Sequence, residues 1–239
     1  MLIRSIIFYV LLSLWTIFMG IICLPYLFYN FQYMRKPVNI WILGIFGLLK
    51  IICKITYEIR GEKNIPNYPC LIASKHQSAF ETFALYYHIS NSIFIHKKQL
   101  FKIPIFGQYL KKSNMISIDR SEGTSAMRKI LKETKKRISN GCSIIIFPEG
   151  TRKKPSETAN YKSGIAGIYE ETKANILPVA VNSGKYWPKD SFVKKPGHII
   201  ISFLEIIPYG LNRIKLLKKI ESEIETETKK IILLKSSIN

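Results

Sequence analysis

Two long apolar runs dominate the first 57 residues of the chain. The first covers residues 5–29 and contains no charged side chain. About 20 helical residues span the apolar core of a bilayer, so this run is long enough for a membrane helix. A signal peptide would have a shorter apolar core, followed by a cleavage site of small residues. We therefore predict an uncleaved membrane segment.

The second apolar run, residues 38–57, is interrupted by the polar side chains Asn39, Lys50 and Lys54. The two lysines are four residues apart and share one face of a helix. This pattern favours an interfacial or re-entrant helix over a second full span. We expect the two runs to form a helical hairpin that enters one leaflet of a membrane. Residues 1–56 are predicted to be the anchor, and residues 57–239 a single further domain.

In the second domain, short runs rich in Ile and Val alternate with helical patterns. Buried strands are predicted at residues 57–60, 69–74, 92–96, 115–118, 143–147, 176–181 and 198–204. Helices are predicted at about 78–88, 121–140, 162–173 and 212–234. The alternation predicts an α/β fold class: a layered domain with a central mixed sheet flanked by helices, preceded by an N-terminal helical membrane anchor.

The composition narrows the classes of partner. The chain has 36 Lys and Arg against 16 Asp and Glu, a formal net charge of +20, and 47% hydrophobic residues. A basic and apolar protein points first to an anionic membrane surface and second to nucleic acid, although an AT-biased genome would also enrich lysine. The four cysteines show no spacing typical of a metal site or a disulfide framework, which predicts structural thiols in a reducing compartment.

His76 and Glu81 are the first candidate catalytic residues. His76 follows a predicted strand and opens a predicted helix, and ligands of α/β sheets bind at the carboxyl ends of strands. A neutral imidazole accepts a proton from a hydroxyl group, and a carboxylate fixes its tautomer. Glu81 lies about one helical turn further on, within reach of that ring. A capping histidine with a solvated glutamate is the alternative that the spacing leaves open.

Two other predicted strands end in residues suited to binding a phosphate. Arg120 follows the strand at 115–118, where its guanidinium could bind a phosphate or form a surface pair with Asp119. Phe147-Pro148-Glu149-Gly150-Thr151-Arg152 follows the strand at 143–147, and its glycine permits either an anion-binding turn or a purely structural one. The chain lacks H-E-x-x-H, G-x-S-x-G, a phosphate-binding Walker loop and a dinucleotide fingerprint, so other common chemistries lack sequence support.

Together these motifs resemble the glycerophospholipid acyltransferase family, particularly its 1-acyl-sn-glycerol-3-phosphate acyltransferases. The resemblance covers about residues 57–205. The family's His-x-x-x-x-Asp motif is similar to His76 through Glu81, with glutamate in place of aspartate. The other matching segments are Ile118-Asp119-Arg120, residues 147–152 in full, Ile176-Leu177-Pro178-Val179-Ala180, and Lys97-Lys98-Gln99-Leu100 with Pro104 and Gly107.

The resemblance implies transfer of a fatty acyl group from a thioester to lysophosphatidic acid. His76 would act as the base and Glu81 would orient it, while the acceptor would be bound by Lys97, Arg120, Glu149, Gly150, Thr151 and Arg152. Within this set, Glu149 is expected to hold the turn or to position acceptor hydroxyls. Backbone amides near Ser78 are a candidate oxyanion site. Direct transfer is favoured over an acyl-enzyme, because no cysteine or serine has an obvious base partner.

The expected partners follow from this chemistry. They are membrane lipids, lysophosphatidic acid, and acyl-CoA or acyl carrier protein as co-substrate, with no metal, no other cofactor and no nucleic acid. The basic charge after the anchor favours a bacterial inner membrane with the catalytic domain on the cytoplasmic side. An acyltransferase for glycerol 3-phosphate or another lysophospholipid remains open, as does a membrane-tethered protein that binds nucleic acid. A lipid-binding protein that has kept the fold without catalysis is the third alternative. The basic C-terminal helix has no assigned purpose.

Overall fold

A seven-stranded mixed sheet lies at the centre of the molecule. The computed structural model describes residues 1–119, 121, 123–157 and 160–234, without the side chain of Phe31. The strands are β1 (Ile55–Arg60), β2 (Leu71–Ser74), β3 (Ser92–Lys97), β4 (Ile116–Ile118), β5 (Ser143–Ile146), β6 (Ile176–Val181) and β7 (Gly197–Phe203). Every predicted strand is present, within two residues at either end. The predicted α/β fold with helices flanking a mixed sheet is therefore confirmed.

The strand order determines where the candidate site is built. The order is β1-β7-β6-β2-β5-β3-β4. β2 lies between β6 and β5 and is parallel to both, and β3 and β4 continue in the same direction. β7 is antiparallel to β6 and parallel to β1. The carboxyl ends of β2 to β6 consequently lie at one edge of the sheet, where α/β proteins bind ligands.

Helices cover both faces of the sheet. They are α1 (Leu2–Ile22), α2 (Arg35–Leu48), α3 (Phe80–His88), α4 (Phe106–Lys112), α5 (Thr124–Ser139), α6 (Gly164–Thr172) and α7 (Arg213–Leu233). Side chains alternate along each strand, and Ile72 and Ile145 join a core with residues of α2 and α3. Their neighbours Leu71 and Ile144 join a second core with residues of α5, α6 and α7. We call these the hairpin face and the α7 face.

The N-terminal apolar runs form a helical hairpin that packs on the hairpin face. Trp15 Nε1 donates a hydrogen bond to the carbonyl of Trp41, and Trp41 Nε1 donates to Thr16 Oγ1. Each of the two indole N–H groups therefore has a hydrogen-bond acceptor on the other helix of the hairpin. Two helical stretches, Leu2–Ile22 and Gln32–Cys53, are long and apolar enough to cross a membrane. On α1 many large apolar side chains are exposed, including Ile3, Val10 and Ile21.

The predicted C-terminal end of the helix in the second apolar run was wrong. The anchoring helices were expected to extend to residue 56, but helical backbone stops at Cys53 and β1 begins at Ile55. Lys54 between them has a left-handed conformation with φ of 56°, which ends the helix. The periodicity of an apolar run does not mark this change, because a buried helix and a buried strand both lack a polar face. Sequence analysis also missed α4, which is short and lies between Pro104 and Ser113.

Candidate active site

The side chains of His76 and Glu81 meet at the carboxyl end of β2. His76 lies in the segment between β2 and α3, and Glu81 lies in the first turn of α3. His76 Nδ1 is 3.0 Å from Glu81 Oε1. A carboxylate can only accept a hydrogen bond, so Nδ1 carries the proton and a neutral ring has its lone pair on Nε2. The imidazole therefore has the tautomer that a general base at Nε2 requires.

Glu81 is fully buried, and hydrogen bonds hold both of its oxygens. Oε1 also accepts from the backbone N–H groups of Gln77 and Ser78, at 2.6 and 2.7 Å. Oε2 accepts from the hydroxyls of Ser78 and Ser183, at 2.9 and 2.7 Å. Burial alone would raise the pKa of this carboxyl, but the bonds from His76, Ser183 and Ser78 outweigh it and hold the pKa below its ordinary value. Glu81 is therefore a fixed anion beside the imidazole.

Ser183 is a residue of this network that sequence analysis missed. It follows β6, which is adjacent to β2 in the sheet but 102 residues away from Glu81 in the chain. Gly184 N–H donates to Gln77 Oε1 at 3.0 Å and joins the same two segments. Sequence spacing cannot reveal such a pair, because it depends on the order of the strands.

Three of the amides near Ser78, those of Gln77, Ser78 and Phe80, already have acceptors within the protein. The N–H groups of Gln77 and Ser78 both point to Glu81, and Phe80 N–H donates to Ser78 Oγ at 2.8 Å. An N–H group that is already bonded to a carboxylate is not available to a developing oxyanion. These amides position the base instead.

The segment 147–152 lies directly beside the imidazole. The Phe147 ring stacks on His76, with centroids 3.8 Å apart and an angle of 13° between the planes. Lys153 N–H donates to the carbonyl of His76 at 2.7 Å. Gly150 has a φ of 72°, a conformation that other residues rarely adopt, and its N–H donates to the Phe147 carbonyl. The glycine therefore makes the turn that follows the stacked ring.

The remaining side chains of this turn have different environments. Thr151 and Arg152 are exposed, and the Arg152 carbonyl accepts a hydrogen bond from Lys189 Nζ at 2.8 Å. Glu149 is buried, and its Oε1 lies 2.8 Å from Lys75 Nζ. Of the two roles considered for Glu149, this pairing fits the one in which it holds the turn.

Lys75 was missed by sequence analysis although it precedes His76 directly. Its side chain is buried, and its ammonium lies between Glu149 and Glu225 of α7, at 2.8 and 2.6 Å. Tyr161 hydroxyl donates to Glu225 Oε1 at 3.1 Å. These residues form what we call the Lys75 cluster, on the α7 face of the sheet.

Of the last two predicted phosphate-binding residues, Lys97 is among the described residues. Lys97 is exposed and is the last residue of β3, at the same edge of the sheet as His76. Arg120 lies outside the described residues. Asp119 is described, and its Oδ2 lies 3.8 Å from Lys98 Nζ.

A family model for acyltransferases matches residues 56–182 of the chain. This range extends from β1 through β6 and includes His76, Glu81 and the 147–152 turn. The chain belongs to the Acyltransferase family. It is therefore an acyltransferase enzyme that acts on lipid and acyl-donor substrates, and its two N-terminal apolar helices indicate membrane association.

Individual relatives agree with this assignment. A 1-acyl-sn-glycerol-3-phosphate acyltransferase of Pseudomonas aeruginosa is 35% identical over 200 residues, which are 82% of this chain and 77% of the relative. One of Helicobacter pylori is 39% identical over 118 residues, or 48% of this chain and 49% of the relative. The crystal structure of the LPA acyltransferase PlsC of Thermotoga maritima superimposes with a TM-score of 0.81 at 23% identity, covering 99% of this chain and 98% of that one. The last match shows that the fold is shared over the whole length.

This acyltransferase has an apolar cavity next to the catalytic pair. The cavity has a volume of about 190 Å³, and its wall is formed by α1, α2, α3 and α4, including Gly20, Val38 and Phe83, together with Phe94 of β3. Phe94 stacks on Phe147 at 6.2 Å, and Phe147 stacks on His76. A continuous row of rings thus connects the cavity wall with the imidazole.

The cysteine thiols of the sheet are poor nucleophiles. Cys70 and Cys142 are both buried, and burial raises the pKa of Cys70 to about 12 and also raises that of Cys142. A thiolate is the reactive form of cysteine, so neither residue is activated for forming an acyl-enzyme.

Proposed function

We propose that the protein transfers a fatty acyl group from an acyl thioester to the sn-2 hydroxyl of lysophosphatidic acid, giving phosphatidic acid for phospholipid synthesis. The observation that carries the proposal is the His76–Glu81 pair at 3.0 Å, beside a turn that presents Arg152 to solvent. The relatives from Pseudomonas aeruginosa and Helicobacter pylori are 1-acyl-sn-glycerol-3-phosphate acyltransferases, which supports this choice of acceptor.

In the proposed reaction, His76 Nε2 takes the proton of the acceptor hydroxyl while the hydroxyl oxygen attacks the thioester carbonyl. The imidazolium that forms lies beside the Glu81 carboxylate, which stabilises it. When the tetrahedral intermediate collapses, the carbon–sulfur bond breaks and the imidazolium returns its proton to the departing thiolate. Direct transfer of this kind needs no metal or tightly bound cofactor, because a thioester is already an activated acyl group.

The acceptor phosphate is proposed to bind to Arg152, Lys97 and Arg120, with Gly150 and Thr151 of the turn beside it. Arg152 is exposed two residues after Gly150, and Lys97 ends the neighbouring strand β3. A guanidinium can hold two phosphate oxygens at once, which favours Arg152 as the main anchor. Glu149 is buried and is proposed to hold this turn through Lys75.

The fatty acyl chain is proposed to enter the apolar cavity. Its walls come from α1 and α2, the helices that carry the apolar surface, so a chain can pass from a bilayer into the cavity without crossing water. The thiol carrier, coenzyme A or acyl carrier protein, would remain outside. We propose that the protein lies at a bacterial inner membrane with the sheet on the cytoplasmic side, because the chain after α1 has a large excess of Lys and Arg over Asp and Glu.

A thiol-release assay with purified protein, acyl thioesters and a panel of acceptors tests the proposal. We expect lysophosphatidic acid to release free thiol, and His76→Ala to abolish the release. If the enzyme instead acylates glycerol 3-phosphate or another lysophospholipid, the proposed acceptor is wrong. Equal activity of wild type and His76→Ala would contradict the assignment of the base. Salt-sensitive DNA binding that survives removal of residues 1–56 would support the nucleic-acid alternative.

The same assay tests Arg152. Arg152→Ala should raise the KM for the acceptor by roughly 10- to 100-fold with a smaller change in kcat, because a bidentate charged contact is lost. Lys189→Ala is the control, since the hydrogen bond of Lys189 goes to the backbone carbonyl of Arg152 and not to its guanidinium. An unchanged KM for the acceptor in Arg152→Ala would count against its role in phosphate binding.

A further inference from the structure

The Lys75 side chain turns away from the catalytic pair towards the opposite face of the sheet. His76 and Lys75 are consecutive, and successive side chains of an extended segment point to opposite sides. His76 meets Glu81 of α3, which packs on the hairpin face. Lys75 reaches Glu225 of α7, which packs on the other face. The end of β2 therefore joins the catalytic pair to the C-terminal helix.

The ammonium of Lys75 has no access to solvent, with 1% of its side chain exposed. An unpaired buried charge is very unfavourable, so its position depends on its partners. Glu149 Oε1 and Glu225 Oε1 lie 2.8 and 2.6 Å from Lys75 Nζ. Within the described part of the chain, Lys75 is the only cation within ion-pair distance of Glu149. Through Glu149, the 147–152 turn is therefore paired with Lys75 at the end of β2. The same lysine is paired with Glu225 of α7.

Glu225 is held firmly enough to serve this purpose. The neighbouring residues Ile220 and Ile224 are fully buried on the α7 face, and they fix the rotation of the helix. Further along, Asn182 Nδ2 donates to the Ile231 carbonyl at 3.3 Å and fixes the C-terminal end of α7 to the end of β6. Tyr161 hydroxyl donates to the same oxygen of Glu225 that accepts from Lys75.

We propose that Glu225 is a positioning residue for the active site, which holds the Lys75 ammonium against Glu149 and so fixes the 147–152 turn beside His76. This inference rests on the proposed function only for the choice of substrates in its kinetic test. It gives the C-terminal helix a role in acceptor binding although α7 follows the matched family region, which ends at residue 182.

The charges in the cluster give the proposal a signature in pH. The groups that face Glu149 are Lys75, Glu225 and Glu81, with Tyr161 beside them. Burial raises the pKa of Glu149 to about 7, Lys75 opposes this rise, and the negative charges of Glu225 and Glu81 add to it. Removing the charge of Glu225 should therefore lower the pKa of Glu149, while Lys75 loses the carboxylate that links it to α7.

Glu225→Gln tests the proposal, with Glu223→Gln as the matched control. Glu223 is on the same helix and loses the same charge, but it pairs with the exposed Lys219. We expect Glu225→Gln to lower kcat/KM for the acceptor roughly tenfold, mainly through KM, as for the loss of one charge-assisted hydrogen bond. The pH dependence of KM for the acceptor should also shift to lower pH, because Glu149 holds the acceptor-binding turn and then ionises more readily. Tyr161→Phe, which keeps every charge, should leave the pH dependence of KM unchanged.

Hydrogen exchange provides a readout that does not depend on the substrate. The N–H groups of Gly150 and Lys153 are bonded within the turn and to His76, so they should exchange faster in Glu225→Gln than in Glu223→Gln. If wild type does not acylate lysophosphatidic acid but exchange still increases, the proposed acceptor is wrong and the positioning role stands. Unchanged exchange together with an unchanged pH profile would overturn the role of Glu225.

Discussion

Replacing Glu81 with glutamine should separate the charge of this residue from its hydrogen bonds. The side chain is fully buried and does not reach the acceptor, so the change acts through its neighbours. A glutamine carbonyl at the position of Oε1 can still accept from His76 Nδ1 and from the amides of Gln77 and Ser78. Its amide NH₂ can donate to the hydroxyls that now donate to Oε2. The ring tautomer is retained and only the charge is lost.

The loss of rate can be estimated from the distance between the charges. In the transition state an imidazolium forms with its Nδ1 3.0 Å from the Glu81 carboxylate oxygen. With an effective dielectric constant of about 20, this attraction is about 5 kcal/mol, and the glutamine dipole preserves part of it. A net loss of about 4 kcal/mol corresponds to a decrease in kcat of roughly 10³-fold. The KM for the acceptor should remain unchanged.

The assay compares Glu81→Gln with Glu81→Ala in thiol release and in denaturant unfolding. The alanine variant leaves the amides of Gln77 and Ser78 buried without an acceptor, at about 1–3 kcal/mol for each. We therefore expect a lower kcat in Glu81→Ala than in Glu81→Gln, because alanine also loses the acceptor that fixes the ring tautomer. The free energy of unfolding should fall by several kcal/mol only in Glu81→Ala. A kcat within threefold of wild type in Glu81→Gln would refute the stabilisation of the imidazolium. Equal unfolding free energies of the two variants would refute the account of the buried network.

Two further predictions concern stability and acyl-chain length. Burial raises the pKa of Glu149 from 4.5 to about 7, so the unfolded chain releases this proton first and the wild-type free energy of unfolding should fall as pH rises between these values. The free energy of unfolding of Glu149→Gln, relative to that of wild type, should therefore increase by up to roughly 3 kcal/mol from pH 4.5 to pH 7. Urea unfolding measures this difference, and a difference that does not change with pH would contradict the prediction. Val38→Trp narrows the cavity and should lower kcat/KM for long acyl chains more than for short ones, whereas Leu43→Trp, exposed on the same helix, should not. An unchanged chain-length profile in Val38→Trp would show that the chain binds elsewhere.

The sequence alone was sufficient to predict those features that depend on local residue patterns. Each strand is a short run that contains isoleucine, and the predicted positions of all of them are confirmed within two residues. The proximity of His76 and Glu81 also follows from local geometry, because the helix start places the carboxylate one turn from the ring. Such features are fixed by backbone periodicity and need no knowledge of the order of strands.

The contacts that sequence analysis missed depend on that order. Ser183 reaches Glu81 because β6 lies next to β2, and Glu225 reaches Lys75 across 150 residues of chain. The start of β1 at Ile55 was missed for a different reason. A continuous apolar run suits a helix and a buried strand equally, and the left-handed Lys54 between them has no sequence mark.

Lys75 nevertheless offered a signal that sequence analysis could have used. Continuing the alternation of β2 past Ser74 puts Lys75 on the same side as Leu71 and Ala73, which belong to the core of the α7 face. A lysine buried at the end of a central strand requires a carboxylate from an element on that face, because an isolated buried charge is too unfavourable. The buried stripe of α7 includes Ile220 and Ile224, so the carboxylates close to this stripe are the ones to consider. The possible partners of Lys75 are thereby reduced to a few glutamates of α7.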